Sequence, residues 1–304
     1  MDERGLLREI EPVAGELLNR HLGVAKEWFP HEMVPYSRGK DFEPGKPWSE
    51  NDSDFGVGND VMSDAVRGSL FVNLLTEDNL PYYFRDIDQL FGNDGAYGEW
   101  GRNWTAEEGR HSIVIRDYLT VTRAIDPVDL ERARMQQVRG GQVPAPLDLY
   151  EALAYLSMQE LATRIAHRNT GKLMTDKVGE AIMSRVGNDE NLHYLFYRDL
   201  ATAAIAVDPS NMVIGIERAV RTFAMPGTGI PDFERLSREI ARLGVYDLLI
   251  HHDQILVPVV LRHWKLAELT GLNAEAEQAR DALVKRIERI GKVGAKLAAD
   301  RVSA

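Results

Sequence analysis

The chain has 304 residues, 44% hydrophobic and 27% charged, a soluble globular composition long enough for one large domain or two small ones. It has no cysteine, which excludes disulfides, thiolate metal sites, iron–sulfur clusters and thiol nucleophiles. A formal net charge of −11 argues against broad nucleic-acid binding, and no apolar run approaches the ~18 residues needed to span a membrane. The opening MDERGLLREIEPVAGELL is charged and amphipathic, lacks a signal-peptide core, and predicts a helix to about Arg20 in a cytoplasmic chain. Residues 21–60 are rich in Pro, Gly, Asp and Ser and predict a long irregular segment without helix after Pro30. Helical periodicity resumes near Val61 and carries Glu77; Pro81 should kink or end that helix. A second helix runs from about Glu99 to Ala124 with Glu108 and His111. Asp126-Pro127 starts another, ending at Gly140-Gly141. Leu147 to Thr170 carries Glu160, with Gly171 as its stop. Asp176 to Val207 carries Glu190 and His193, and Asp208-Pro209-Ser210 caps the next helix. Met225 to Phe233 opens as a loop, and the charged, helix-prone stretch after Leu272 is expected to fray. With almost no β alternation the class is all-α. The expected organisation is one unit over residues 1–304, with a core bundle at 61–207 and a peripheral C-terminal helix or tail at 272–304.

Within these helices one pattern occurs twice. Glu108-x-x-His111 and Glu190-x-x-His193 are the only Glu-x-x-His matches. Each follows a second acid, Glu107 or Asp189, and each precedes an Arg-Asp pair, Arg116-Asp117 or Arg198-Asp199. A lone glutamate precedes each at nearly one distance: Glu77 lies 31 positions before Glu108, and Glu160 lies 30 before Glu190. Residues i and i+3 share a helix face, so a Glu and a His at that offset can reach one ion. About 30 residues is one helix out, a turn and one helix back. Two such hairpins would bring four carboxylates and two imidazoles to one level of a four-helix bundle, the donor set of a dinuclear site. Carboxylates with imidazoles favour iron or manganese over calcium or zinc.

The segments LLTEDNLPYY, WTAEEGRHSIVIRDYL, SMQELATRIAHRNTG and DENLHYLFYRDL resemble those of the soluble acyl-[acyl-carrier-protein] desaturases, the actinobacterial branch above all. The resemblance runs from about residue 10 to about residue 270. It implies a ferritin-like four-helix bundle extended by additional helices, a homodimer, and a centre of two Fe ions per subunit that also accepts Mn in vitro. It implies dioxygen-dependent insertion of a cis double bond into an acyl chain carried on acyl carrier protein, with reduced ferredoxin as electron donor. The metal ligands it implies are Glu77, Glu108, His111, Glu160, Glu190 and His193. Thr163 matches a threonine beside the oxygen site. Asp189 matches an acid that hydrogen-bonds a ligand imidazole. Trp28 and Trp104 match tryptophans of the family's electron-transfer region. Gly109, Ser112, Leu192 and Tyr194 depart from the pattern, none at a ligand position.

Several groups have plainer readings. His167, seven residues after Glu160, reads as an inward hydrogen-bonded histidine before a seventh ligand. His251-His252 has no acid at metal spacing and reads as surface or interface. Arg164, Arg168 and Lys172 form a solvated or salt-bridged row. Thr163 could bond only a carbonyl one turn back. For docking an acidic carrier, Lys26 is the first candidate, Arg20 the second and the Arg164, Arg168 and Lys172 row the third. The same ligands would serve a di-iron hydroxylase or N-oxygenase, or a ferritin-like iron-binding protein without desaturase activity.

Overall fold

In a computed structural model, the described residues are 2–56, 62–225, 227, 230 and 232–302. Val61 and residues 226, 228, 229 and 231 of the expected loop lie outside them. Among the described residues there are twelve α-helices and no strand. Helix α1 (Glu3–Val24) begins where Asp2 accepts a hydrogen bond from the Gly5 amide at 2.7 Å. It buries Leu6, Ile10, Leu17 and His21. The following segment, to residue 56, is irregular as expected except for one α turn, α2 (Pro30–Met33), and short 3-10 turns at Tyr36–Arg38 and Glu50–Asp52. Proline fits at the start of α2 because the first turn has no amide partner to lose.

The helix expected to kink or end at Pro81 is two helices, α3 (Asp64–Glu77) and α4 (Leu80–Phe91). The chain breaks at Asp78-Asn79, and Pro81 sits in the first turn of α4. Helix α5 (Gly95–Val121) follows, then α6 (Pro127–Gly140), which ends on Gly141 in the left-handed region at φ +63. Helix α7 (Leu149–Leu173) does not stop at Gly171. That glycine serves packing instead: a Cβ there would meet the Met183 Cβ at 3.0 Å, so it lets α7 approach α8 (Lys177–Val207). Asp176 and Asp208 cap α8 and α9 (Pro209–Thr222) through their side chains.

Next come α10 (Phe233–Arg242) and α11 (Leu248–His251), which continues into a π-helix at His252–His263 holding Pro258. The C-terminal stretch is α12 (Ala274–Val302), packed on α9 and α11. Ala276, Leu283 and Ile287 are buried in that contact, which is why the stretch forms a held helix where the sequence alone predicts fraying.

Helices α3, α5, α8 and α7 form a closed ring, each touching the next. Along α5, Trp100 and Trp104 belong to one apolar cluster and Val114 to Leu119 to another. Along α8, Ile182 to Val186 belong to the second cluster, and Tyr194 to Ile205 to the first. Between the two clusters lies one polar layer, level with Glu108 and Glu190.

Close approach of α9 to α7 depends on Gly215, where a Cβ would lie 2.6–2.9 Å from backbone and Cβ atoms of Tyr150 and Glu151. Gly215→Ala is therefore expected to destabilise the protein by about 1–3 kcal/mol in urea unfolding. Gly101→Ala, with nothing within 4 Å of its Cβ, should instead be neutral or stabilise by up to about 1 kcal/mol.

Candidate metal centre

The structure gathers all six expected ligands in the polar layer. Glu77 ends α3, Glu108 and His111 lie on α5, Glu160 on α7, and Glu190 and His193 on α8. All six are buried. They form two overlapping sets, Glu77–Glu108–His111–Glu190 and Glu108–Glu160–Glu190–His193, with donor atoms of each set within 4.8 Å of one another. The glutamates of the two repeated motifs are thus common to both sets. Each remaining Glu–His pair, Glu77 with His111 and Glu160 with His193, belongs to one.

The imidazoles face inward through Nδ1. His111 Nδ1 lies 3.1 Å from Glu108 Oε2 and 3.4 Å from Glu190 Oε1. His193 Nδ1 lies 2.8 Å from Glu108 Oε1, yet neither atom has a hydrogen-bond partner. Two buried polar atoms in contact without a hydrogen bond fit a shared cation better than they fit each other. On the outer side, His193 Nε2 meets Glu107 Oε2 at 2.8 Å and His111 Nε2 lies 3.5 Å from Asp189 Oδ2. Each acid before a motif therefore serves the histidine of the other motif. For His193 that bond keeps the proton on Nε2 and leaves Nδ1 free as a ligand, whereas His111 Nε2 stands beside Asp189 without a hydrogen bond. Four carboxylates and two Nδ1 donors fit two hard first-row ions.

Around this core, Trp28 donates from Nε1 to Asp189 Oδ2 at 2.7 Å and lies parallel to His111 at 6.4 Å between centroids. Arg110 and Arg185 flank its ring and also contact Asp189. Trp104 is buried in the wall and donates to Glu160 Oε1 at 3.2 Å. The Thr163 hydroxyl lies 2.9 Å from Glu190 Oε2, 3.0 Å from the Glu160 carbonyl and 3.2 Å from the Gln159 carbonyl. Its single proton can serve one of these acceptors at a time. His167 sits 3.1 Å from Glu77 Oε1 and 3.5 Å from Glu190 Oε1, in neither ligand set, as a hydrogen-bonded histidine.

Other expectations need correction or placement. His251 is not at the surface: it is buried against Phe223 and hydrogen-bonded to the Tyr246 hydroxyl at 2.8 Å. Its neighbour His252 pairs with Asp253. Lys172 bonds Asn169, and Arg164 is half-buried near Tyr194. Lys26 is exposed, whereas Arg20 is ion-paired with Asp199. Sequence reasoning left Glu107 without a role and passed over His21, which lies 3.1 Å from both Glu107 oxygens. The doublet Glu107-Glu108, matched by Asp189-Glu190, was the signal for the first; nothing in the sequence marks the second.

Electrostatics follow from this burial. Burial alone would lower the His193 pKa, but Glu107, Glu108 and Glu160 outweigh it and raise it well above the ordinary value. The same contest raises His111, through Glu108, Asp189 and Glu190. Burial leads in raising Glu160 well above the usual carboxylate range. Glu190 goes the opposite way: burial is overcome by hydrogen bonds from His111 and His167, which hold it ionised.

Two largely apolar pockets reach the layer. One touches Glu77, Glu108 and Glu190 and is walled by Leu80, Ile87, Leu90 and Leu156. The other lies against Val72, His167, Phe233, Ile240 and Tyr246. Thr76 and Thr163 line both.

Comparisons with known proteins agree with this arrangement. Residues 2–304 match a family model described as fatty acid desaturase. The chain is 42% identical over 288 residues, 91% of its length and 83% of the relative's, to a Mycobacterium tuberculosis (strain H37Rv) protein named acyl-[acyl-carrier-protein] desaturase DesA1. It is 29% identical over 311 residues, covering 95% of this chain and 77% of the relative, to stearoyl-[acyl-carrier-protein] 9-desaturase 5, chloroplastic, of Oryza sativa subsp. japonica. The X-ray structure of acyl-ACP desaturase DesA2 from Mycobacterium tuberculosis H37Rv superposes with a TM-score of 0.70 at 23% identity, covering 90% of this chain and 99% of that one. That likeness shows the ferritin-like fold.

Two metal ions per chain are expected after anaerobic Fe(II) loading. Because Glu108 and Glu190 belong to both sets, Glu108→Ala or Glu190→Ala should cost both ions, whereas Glu77→Ala or Glu160→Ala should cost chiefly one; metal analysis reads the difference. Loading must also displace protons, since ligating imidazole is neutral and ligating carboxylate ionised. The raised pKa values of His111, His193 and Glu160 in the metal-free protein set the sign: proton release on binding, and affinity that rises with pH. Calorimetric titration in buffers of different ionisation enthalpy measures it, and no release would contradict the assignment.

Proposed function

Because the chain belongs to the fatty acid desaturase family, whose members are oxidoreductases, we propose that it is a dioxygen-dependent desaturase of acyl chains carried on acyl carrier protein. The observation that carries this reading is the apolar space that touches Glu77, Glu108 and Glu190 directly. A fatty acyl chain laid there would present its methylenes to the ligand layer. Glu77, Glu108, His111, Glu160, Glu190 and His193 would hold two iron ions, with Glu108 and Glu190 common to both. Bound there, iron supplies the oxidising chemistry: dioxygen, two electrons from a reduced ferredoxin and two protons take up the two hydrogens lost from the chain, giving one double bond and two waters.

The protein's own contributions are positional. Leu80, Ile87, Leu90 and Leu156 offer dispersion contacts along a chain, on a wall that also carries the polar groups of Thr76, Tyr83, Asp86 and Gln159. Thr76 and Thr163 line both pockets, so the two apolar spaces lie next to one another at these residues. Glu107 and Asp189 fix the imidazole rings. Among the described residues, Thr163 is the one hydroxyl that both borders the acyl space and hydrogen-bonds a candidate ligand, through Glu190 Oε2. It can hold or pass a proton at that edge. Trp28 with Asp189 offers a buried path from α1's end to His111. One unit over residues 1–304, working as a homodimer and receiving the carrier near Lys26, completes the proposal.

Reconstitution with Fe(II), ferredoxin, its reductase and a series of acyl-carrier-protein thioesters, with mass spectrometry of the products, tests it. Loss of two hydrogens from at least one chain is expected; an added oxygen would indicate a hydroxylase, and no change across the series would contradict the proposal. Thr163→Val should keep both metals yet lower turnover or uncouple dioxygen use from product. Unchanged rate and coupling would leave the hydroxyl with only its carbonyl bonds.

A further inference from the structure

The outer acids of the two half-sites are themselves held, and both holders come from one stretch of chain. Trp28 donates to Asp189. Seven residues earlier, His21 on α1 reaches Glu107 with Nε2 at 3.1 Å from each oxygen. Glu107 in turn meets His193 Nε2 at 2.8 Å. The His21 ring is buried, stands edge-on to Trp100 at 5.0 Å between centroids, and lies nearly parallel to the His193 ring at 5.9 Å. Trp100 is pinned by Phe196 stacked on it at 3.6 Å, so the His21 ring cannot swing away without opening the first apolar cluster.

From these contacts we infer that His21 is a positioning residue for the metal position served by Glu160 and His193. The reasoning is stereochemical. Glu107 is an acceptor between two imidazoles. A proton donated by His21 Nε2 fixes the carboxylate's rotation, and the fixed carboxylate holds the His193 proton on Nε2. His193 Nδ1 is then left as a lone pair aimed at Glu108 and Glu160, 2.8 and 3.7 Å away. Without His21, Glu107 keeps its bond to His193 and one weak neighbour, Arg110 at 3.8 Å, and its rotation is no longer fixed from the far side. The His111 position has its own support in Trp28, Arg110 and Arg185 around Asp189, so the effect should fall on one ion rather than both.

The inference rests on the reading that the layer binds two metals, and the test separates the two. Purified full-length apoprotein is titrated with Co(II), following visible absorption and calorimetric heat, for wild type, His21→Phe and His21→Gln, with circular dichroism as the check on fold. Phenylalanine keeps the ring against Trp100 and His193 but removes the donor; glutamine keeps a donor but loses the ring. If His21 acts through its hydrogen bond, His21→Phe weakens one of the two binding steps by about 10–100-fold, the usual effect of losing an outer partner of a metal ligand, and shifts the absorption bands. His21→Gln stays closer to wild type. If His21 serves only packing, the order reverses, and that result overturns the inference. Glu107→Gln, which leaves His21 and its packing in place, should weaken the same step. Two wild-type steps in that variant also overturn it. Wild type taking up fewer than two Co(II) ions would overturn the metal reading itself.

Discussion

Four carboxylates and two imidazoles occupy one buried layer between two apolar clusters, and the cost of burying them governs the rest of the structure. An isolated ionised carboxylate taken out of water costs several kcal/mol even after relaxation. The protein without metal answers by moving protons: His111 and His193 are driven toward the charged form, and Glu160 toward the neutral one. Two divalent cations would remove the same excess charge without protons. That equivalence is why metal binding, proton release and stability of this layer are linked. It also explains why the helices must be long. A ring of α3, α5, α7 and α8 has to bury enough apolar surface above and below the layer to hold it together.

The site has an internal two-fold logic with unequal surroundings. Each motif supplies a shared glutamate, a histidine and an acid that serves the other motif's histidine. The holders of those acids differ. Asp189 is bonded by an indole and two guanidinium groups, Glu107 by a single imidazole and a distant arginine. The apolar space is one-sided as well, since both pockets border Thr163 on α7. The two overlapping sets of candidate ligands, alike in residue type, are thus unlike in support.

The six clustered carboxylates and imidazoles are legible in the sequence because helical geometry leaves a periodic trace. An i, i+3 pair needs no tertiary information, and its repetition with glutamates 30 and 31 residues earlier defines a bundle. Capping was legible for the same reason: Asp126, Asp176 and Asp208 bond amides within a few residues. What failed to show was decided between helices. Gly171 looks like a stop, yet it is spent on the approach to Met183. The stretch after Leu272 looks loose until α9 covers Leu283 and Ile287. His251 reads as surface because its partner Tyr246 hydrogen-bonds without charge. His21 carries no motif, since its role exists only through Glu107, 86 residues away.

The central claim is that Glu108 and Glu190 are common to two metal ions. A crystal structure of the iron-loaded protein, with anomalous diffraction at the iron edge, tests it directly. The account predicts two iron peaks about 3.5–4 Å apart, the spacing usual for paired metals, each bonded to both Glu108 and Glu190 and each to one histidine. A single peak, or two ions with no carboxylate in common, would contradict it.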